Sequence, residues 1–208
     1  MAPLVLLAFD LGAETGRAYL GSLHHDRLEV KELSRFANTV ANLAGHLHWN
    51  VAQLFQEIKR SLAACAAEGA PKPASVAVDT WGVDFGLLAS DGSLLGLPYA
   101  YRDPRTEGAM EELFRRIPRQ RVYELTGVQF MRINTLFQLM AMVRDQSPLL
   151  RIASDILLMP DLFSYLLSGQ TKTEFTIATT SQLYNPTKHD WEDQLLAALG
   201  LPRDLMQE

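Results

Sequence analysis

Asp10 closes an apolar run, "PLVLLAF" at 3–9, and the glycine- and hydroxyl-bearing stretch "LGAETGR" follows at 11–17. A carboxylate placed there needs a partner, because burying even a neutral polar group alone costs roughly 2–7 kcal/mol and a charge costs more. Neither G-x-x-x-x-G-K-[ST] nor G-x-G-x-x-G occurs, and the turn is read as joining strand to strand. In such a hairpin Gly12, Ala13, Thr15 and Gly16 leave backbone N–H groups directed at one concavity, and the Thr15 hydroxyl and Arg17 guanidinium add donors. Phosphate suits that donor set. Mg²⁺, which takes one or two carboxylates with phosphate oxygens and water, would turn Asp10 from a repulsive neighbour into a useful one. The same residues also fit a tight hairpin in which the glycines serve backbone geometry alone and Asp10 bonds to turn amides.

A second apolar run ends in "VDTWGVDF" at 78–85, which again sets acids and a hydroxyl, Asp79, Thr80 and Asp84, around Trp81 and Gly82. Polyol recognition uses this mixture: carboxylates accept from vicinal hydroxyls, an aromatic face covers C–H surface, and glycine permits close approach. The alternative is a core Trp81 beside a turn or capping Asp84. A third polar cluster, "YAYRDPRT" at 99–106, adds Arg102, Asp103 and Arg105. Arg102 and Asp103 read either as neighbours of a polyol site or as a surface ion pair.

The elements that must position these residues follow from hydrophobic period. Residues 4–9, "RAYLGSL" and "LEVKELSRF" predict three antiparallel strands in a meander. Asn50 then opens a helix with Val51, Leu54, Phe55, Ile58, Leu62 and Cys65 on one face, Gln53 in the capping position, and Gly69 and Pro71 as its end. "SVAVDTWG" predicts a further strand, and "VDFGLL" turns through "SDGS" into "LLGLP" as a hairpin-like pair. From Arg105 the pattern becomes helical, with helices expected in "TEGAMEELFRRI", "RQRVYELTG", "TLFQLMAMVRD", "PDLFSYLLSG" and "WEDQLLAALG", and a last one starting at Pro202. The expected organisation is α/β: a strand-rich core over about 1–104 and 171–208 carrying a helical lobe over about 105–170. Phe137, Met140, Phe163 and Leu166 are expected in the core of that lobe rather than on an oligomer surface.

Composition narrows the partners. The 208 residues carry 19 Lys and Arg against 24 Asp and Glu, a net charge of −5, without a basic run to neutralise successive phosphates of a nucleic acid. No apolar stretch is long enough to span a bilayer, and no secretory leader pattern opens the chain, which points to the cytoplasm. Cys65 is the single cysteine, and His24, His25, His46, His48 and His189 are scattered, without metal-ligand spacing.

Taken in order, "DLGAETGR", "DTWGVDFGLL", "GLPYAYRDPRT", "LTGVQFMRINTLFQL", "LLMPDLFSYLLSG" and "EFTIATTSQLYN" resemble the FGGY carbohydrate kinases and, among them, the rhamnulokinases. The resemblance implies a ribonuclease-H-like, actin-like ATPase fold with a mixed sheet, and ATP and Mg²⁺ as cofactors. By position, Ala13, Glu14, Thr15, Gly16 and Arg17 match the first phosphate loop, and Asp10 matches the metal-proximal acid. Gly82 matches a ketose-contacting position, with Thr80, Trp81, Asp84, Arg102 and Asp103 as its expected neighbours. The implied reaction moves the ATP γ-phosphoryl to the 1-hydroxyl of L-rhamnulose; fuculose or xylulose kinases, or a sugar-binding module without catalysis, are the alternatives. Family members run to more than twice this length. The proton-accepting aspartate is therefore expected past residue 208, in a C-terminal kinase domain, and the 208 residues alone are expected to be inactive.

Overall fold

The computed structural model describes residues 3–67 and 72–207. In chain order the strands and helices begin β1 (Leu4–Leu11), β2 (Thr15–His24), β3 (Arg27–Ala37), β4 (Val40–Leu43), β5 (His46–Trp49), α1 (Val51–Ala67), β6 (Ser75–Thr80) and β7 (Phe85–Leu88). They continue with α2 (Ala109–Arg116), α3 (Arg119–Thr126), α4 (Thr135–Arg144), α5 (Pro148–Ile152), β8 (Asp155–Leu158), α6 (Met159–Ser168), α7 (Phe175–Thr180), β9 (Tyr184–Asn185), β10 (Asp190–Trp191) and α8 (Asp193–Leu199). The chain divides into two compact units, one built from residues up to 40 with 50–81, the other from 41–49 with 82 onward.

The first unit is a mixed sheet of order β3-β2-β1-β6. The predicted meander is there: β1 pairs antiparallel with β2, and β2 with β3, while β6 joins β1 in parallel. Parallel pairing needs a crossover, and α1 supplies it. In β1 the odd positions Val5, Leu7, Phe9 and Leu11 are buried, as a period of two requires for one covered face. Buried Val51, Leu54, Ile58 and Cys65 recur at helical spacing along α1, and Ser61 of α1 hydrogen-bonds Ser34 of β3 at 2.7 Å. Each large apolar side chain buried this way contributes about 1.5–3 kcal/mol. Asn50 caps α1: its Oδ1 accepts the Gln53 N–H at 3.1 Å, and its Nδ2 donates to Gln53 Oε1 at 3.4 Å. The expected terminators Gly69 and Pro71 lie outside the described residues. Among the described residues, the outer edge of β6 has no ladder partner, and Val76 on it is 43% exposed.

The second unit is helical around one apolar core drawn from α2, α3, α4, α7 and α8 together with β7 and β8. Phe137, Met140 and Phe163 are fully buried as expected. Gly127 and Gly169 end α3 and α6 at φ 66° and 74°, left-handed positions that glycine takes without a Cβ penalty. Three expectations change. The main partner of β7 is β8, which sequence pattern left inside a helical stretch; the expected return through 90–93 is present but short, with Leu88 bridging Leu94, the Ala89 N–H donating to Ser93 O at 2.9 Å and the Leu95 N–H to Leu87 O at 2.8 Å. Residues 82–104 and 171–207 accordingly belong with the helices rather than with the sheet of the first unit, because one continuous apolar core holds them together. The helix expected from Pro202 is a single 3₁₀ turn at Arg203–Leu205, after which Met206 runs extended beside Ile156.

Candidate functional site

In the first unit, Asp10 and Arg17 face each other across β1 and β2. Arg17 Nη1 donates to Asp10 Oδ2 at 3.1 Å, with the two side chains 32% and 46% exposed, respectively. The carboxylate is therefore half in solvent and already has a partner, which removes the burial problem posed by its place after an apolar run. In the parallel register Asp10 also sits beside Asp79 of β6; register partners share a face of the sheet. Two carboxylates and one guanidinium thus line one end of that face.

The turn that follows is built differently from the expected nest in two respects. Gly12 N–H is used internally, donating to Thr15 O at 2.8 Å, so it is not available to a ligand. Gly16 is buried, and a Cβ there would lie 2.1 Å from the Phe36 ring, its cross-strand neighbour; packing against that ring is a reason of its own for glycine here. The whole turn is clamped by Asn38, which donates its N–H to Glu14 O at 2.9 Å and its Nδ2 to Gly12 O at 2.8 Å. Among the described residues the N–H groups of Ala13 and Glu14 meet no acceptor. These two amides, the Thr15 hydroxyl and Arg17 are the donors left at this turn that could meet an anion.

Mg²⁺ commonly takes one or two carboxylates and leaves its other positions to phosphate and water. Asp10 with Asp79 fits that demand; among the described residues no group of three His, Cys, Asp or Glu offers an all-protein cage. Thr80 and Trp81 lie half-buried at the end of β6, the Thr80 hydroxyl donating to Trp81 O at 2.8 Å.

In the second unit the expected sugar neighbours separate into buried struts and exposed groups. Asp84 has no exposed surface. Its Oδ2 accepts from Trp49 Nε1 at 2.5 Å and from the Tyr101 N–H at 3.1 Å, and its Oδ1 from Gln138 Nε2 at 2.7 Å. Every direction of that carboxylate is committed to protein, which corrects the expectation that it touches a substrate. Asp103, 1% exposed, is likewise committed: Leu47 N–H donates to its Oδ2 at 2.7 Å, Arg105 N–H to its Oδ1 at 3.0 Å, and His46 Nδ1 lies 3.2 Å away. Burial opposes its ionisation, but those donors outweigh burial and hold the carboxyl below its ordinary value. Arg102 forms no ion pair with Asp103; it is exposed, with its guanidinium 5.2 Å from the Tyr101 ring centre. Gly82 remains partly open, and a Cβ on it would meet Thr180 Oγ1 at 3.1 Å.

Sequence reasoning named Arg105 without its role and missed the other residues that hold these positions. Arg105 stacks on Tyr99 and donates to Gln138 O and Oε1 at 2.8 and 2.7 Å; burial pulls its pKa below the usual guanidinium value, against the pull of Tyr99 and the nearby acids. Gln138 connects Arg105 to Asp84 from the middle of α4, where buried apolar residues surround it. A lone amide within "TLFQLMAMV" was the available signal for it. Nothing in the local pattern marked Asn38 or Thr180.

Xylulose kinase from Lactobacillus acidophilus superposes on 98% of this chain with TM-score 0.86 at 15% identity, and gluconate kinase from the same organism on 100% with TM-score 0.87 at 14% identity, over 41% and 42% of those chains. The fold is thus α/β, of the actin-like ATPase type. The description "FGGY family of carbohydrate kinases, N-terminal domain" matches residues 5–208, and the chain belongs to that family. Among curated relatives, a rhamnulokinase of Bacteroides thetaiotaomicron is 46% identical over 197 residues, 95% of this chain, and one of Pectobacterium carotovorum is 41% identical over 205 residues, 98% of this chain. The chain spans about two fifths of the length of those relatives, 40% and 41%.

Proposed function

We propose that this chain supplies the phosphate turn and part of the ketose wall of a kinase that converts L-rhamnulose and ATP to L-rhamnulose 1-phosphate and ADP. The observation that carries the reading is the half-exposed Asp10 beside Asp79 and the open Ala13–Glu14 amides, in a chain whose curated relatives named above are rhamnulokinases. Asp10 with Asp79 would hold Mg²⁺, which would supply charge neutralisation at the transferring group. The Ala13 and Glu14 amides, the Thr15 hydroxyl and Arg17 bind phosphate oxygens and orient them. The Gly82 turn meets the sugar. In the transfer the sugar 1-oxygen forms the new bond to the γ-phosphorus, the bond to ADP breaks, and the hydroxyl proton passes to a base. That base is assigned to the three fifths of the relatives' length that this chain does not span. We place the reaction in the cytoplasm, where ATP is held and a free thiol such as Cys65 stays reduced.

Mixing the purified chain with ATP, Mg²⁺ and L-rhamnulose and following ADP release tests the division of labour. The expected result is no sugar-dependent turnover, with weak L-rhamnulose binding by calorimetry. Turnover surviving repurification places the base within these residues and overturns the assignment. Tighter binding of fuculose or xylulose than of L-rhamnulose overturns the choice of sugar.

A further inference from the structure

Val83 follows Gly82 and adopts φ +69° while only 8% exposed. The Asp84 N–H donates back to Gly82 O at 3.0 Å, closing a three-residue γ-turn whose central residue has positive φ. That conformation is rare and strained for any side chain and more so for a β-branched one. It persists where surrounding contacts over-determine it, and here they do. Val83 O accepts from the Thr135 hydroxyl at 2.7 Å and from Gln138 Nε2 at 3.3 Å, and Asp84 is fixed by Trp49, Tyr101 and Gln138.

The remaining anchor is Thr180, the last residue of α7. Its hydroxyl donates to Ile177 O at 2.8 Å, which leaves a lone pair oriented to accept the Val83 N–H at 3.2 Å. The same side chain fills the space above Gly82: a Cβ there would lie 3.1, 3.2 and 3.3 Å from Thr180 Oγ1, Cβ and Cγ2. One threonine therefore both crowds any side chain placed at 82 and holds the strained turn after it.

We propose that Thr180 is a positioning residue for the sugar: it holds the backbone of Gly82–Asp84 in the one conformation that a ketose hydroxyl is read against. This rests on the reading of Gly82 as a sugar contact. A structural role alone would need only a side chain of threonine's shape; the positioning role needs the hydroxyl.

The 208-residue chain, unaltered and as Thr180→Val and Thr180→Ser, is titrated with L-rhamnulose while the backbone amide resonances of Gly82, Val83 and Asp84 are followed by NMR. The expected result is binding by the unaltered chain, about tenfold weaker binding in Thr180→Val, where the Val83 N–H loses its acceptor, and recovery to within about threefold in Thr180→Ser. Thr180→Val that melts earlier yet binds sugar with unchanged affinity overturns the proposal, as does a Thr180→Ser chain as weak as a Thr180→Val one. If Thr180→Val does not fold, Thr180→Ser against Thr180→Ala carries the same comparison. An unaltered chain whose three amides do not respond to saturating sugar overturns the sugar reading of Gly82 itself, and this inference with it; a response that survives loss of the hydroxyl overturns the inference alone.

Discussion

Asp10 and Asp84 look alike in the sequence, each an acid at or just past the end of an apolar strand, and the structure gives them opposite fates. Asp10 keeps nearly half of its side chain in solvent, with a single guanidinium as partner. Asp84 keeps none and gathers donors from residues 35, 17 and 54 positions away in the chain. The first is free to do chemistry because the protein asks little of it. The second is a strut, and its charge is consumed in holding Trp49, Tyr101 and Gln138. Residue type and strand position do not separate these roles; the number of donors that converge on the carboxylate does.

The sharpest test of the contrast is Asp84→Ala, which takes an acceptor from the Trp49 indole N–H, the Tyr101 N–H and Gln138 Nε2 at once and is expected to cost about 3–5 kcal/mol of stability. Urea unfolding of the variant measures it, and a loss below about 1 kcal/mol would show that solvent or rearrangement satisfies those donors. Asp161 provides an intermediate case. It is 5% exposed, its Oδ1 accepts the Glu174 N–H at 3.1 Å, and its Oδ2 has no partner. Burial pushes its pKa up to about 7; the Glu174 N–H pulls the other way and the Glu174 charge adds to the rise. The folded chain then holds a proton that the unfolded chain, with the ordinary value of 3.8, has lost. This group's contribution is fully present below pH 3.8, declines by up to about 1.4 kcal/mol per pH unit as pH rises towards 7, and is lost above it. Unfolding midpoints at pH 4.5 and 8 should fall less in Asp161→Asn than in the unaltered chain; parallel declines would exclude Asp161 as the source.

Gly16→Ala comes next, at about 1–3 kcal/mol, because its methyl group enters the Phe36 ring space. Phe36→Leu in the same chain should return part of the loss if that contact is the cause. Smallest of all is Asp10→Asn. Breaking a half-exposed pair should move stability by less than about 1 kcal/mol, while Mg²⁺-dependent nucleotide binding, followed by calorimetry with and without the metal, should weaken. Equal nucleotide affinity in the two chains would break the assignment of Asp10, and a large stability loss would erase its difference from Asp84.

What the sequence made legible was local. The meander of β1–β3, the amphipathic face of α1 and the five helices expected between Arg105 and Gly200 all rest on periodicity within a single segment, and they are present. The order β3-β2-β1-β6 is compatible with that pattern, but the pairing of β7 with β8 is not visible in it. Asp155–Leu158 offers only four residues, runs straight into α6, and finds its partner about seventy positions earlier. The site was legible in the same uneven way. Arg17 lies seven positions from Asp10, and the turn between them was readable. Asn38, which clamps that turn from 26 positions away, was not. Gly82 was read as permitting close approach and Gly16 as part of the turn, but the groups that crowd them, Thr180 and Phe36, emerge only in three dimensions.

The two edges of the first unit's sheet are guarded very differently. Along β3 the chain places Arg27, Glu29, Lys31, Glu32 and Arg35, a row of alternating charge that discourages any further strand. The opposite edge, β6, reads Ser-Val-Ala-Val-Asp-Thr and carries one charge near its end. Among the described residues no strand pairs with that border. A lysine at the exposed Val76 would put on β6 the kind of fence that β3 already has, and colloidal behaviour rather than activity is the property it would change.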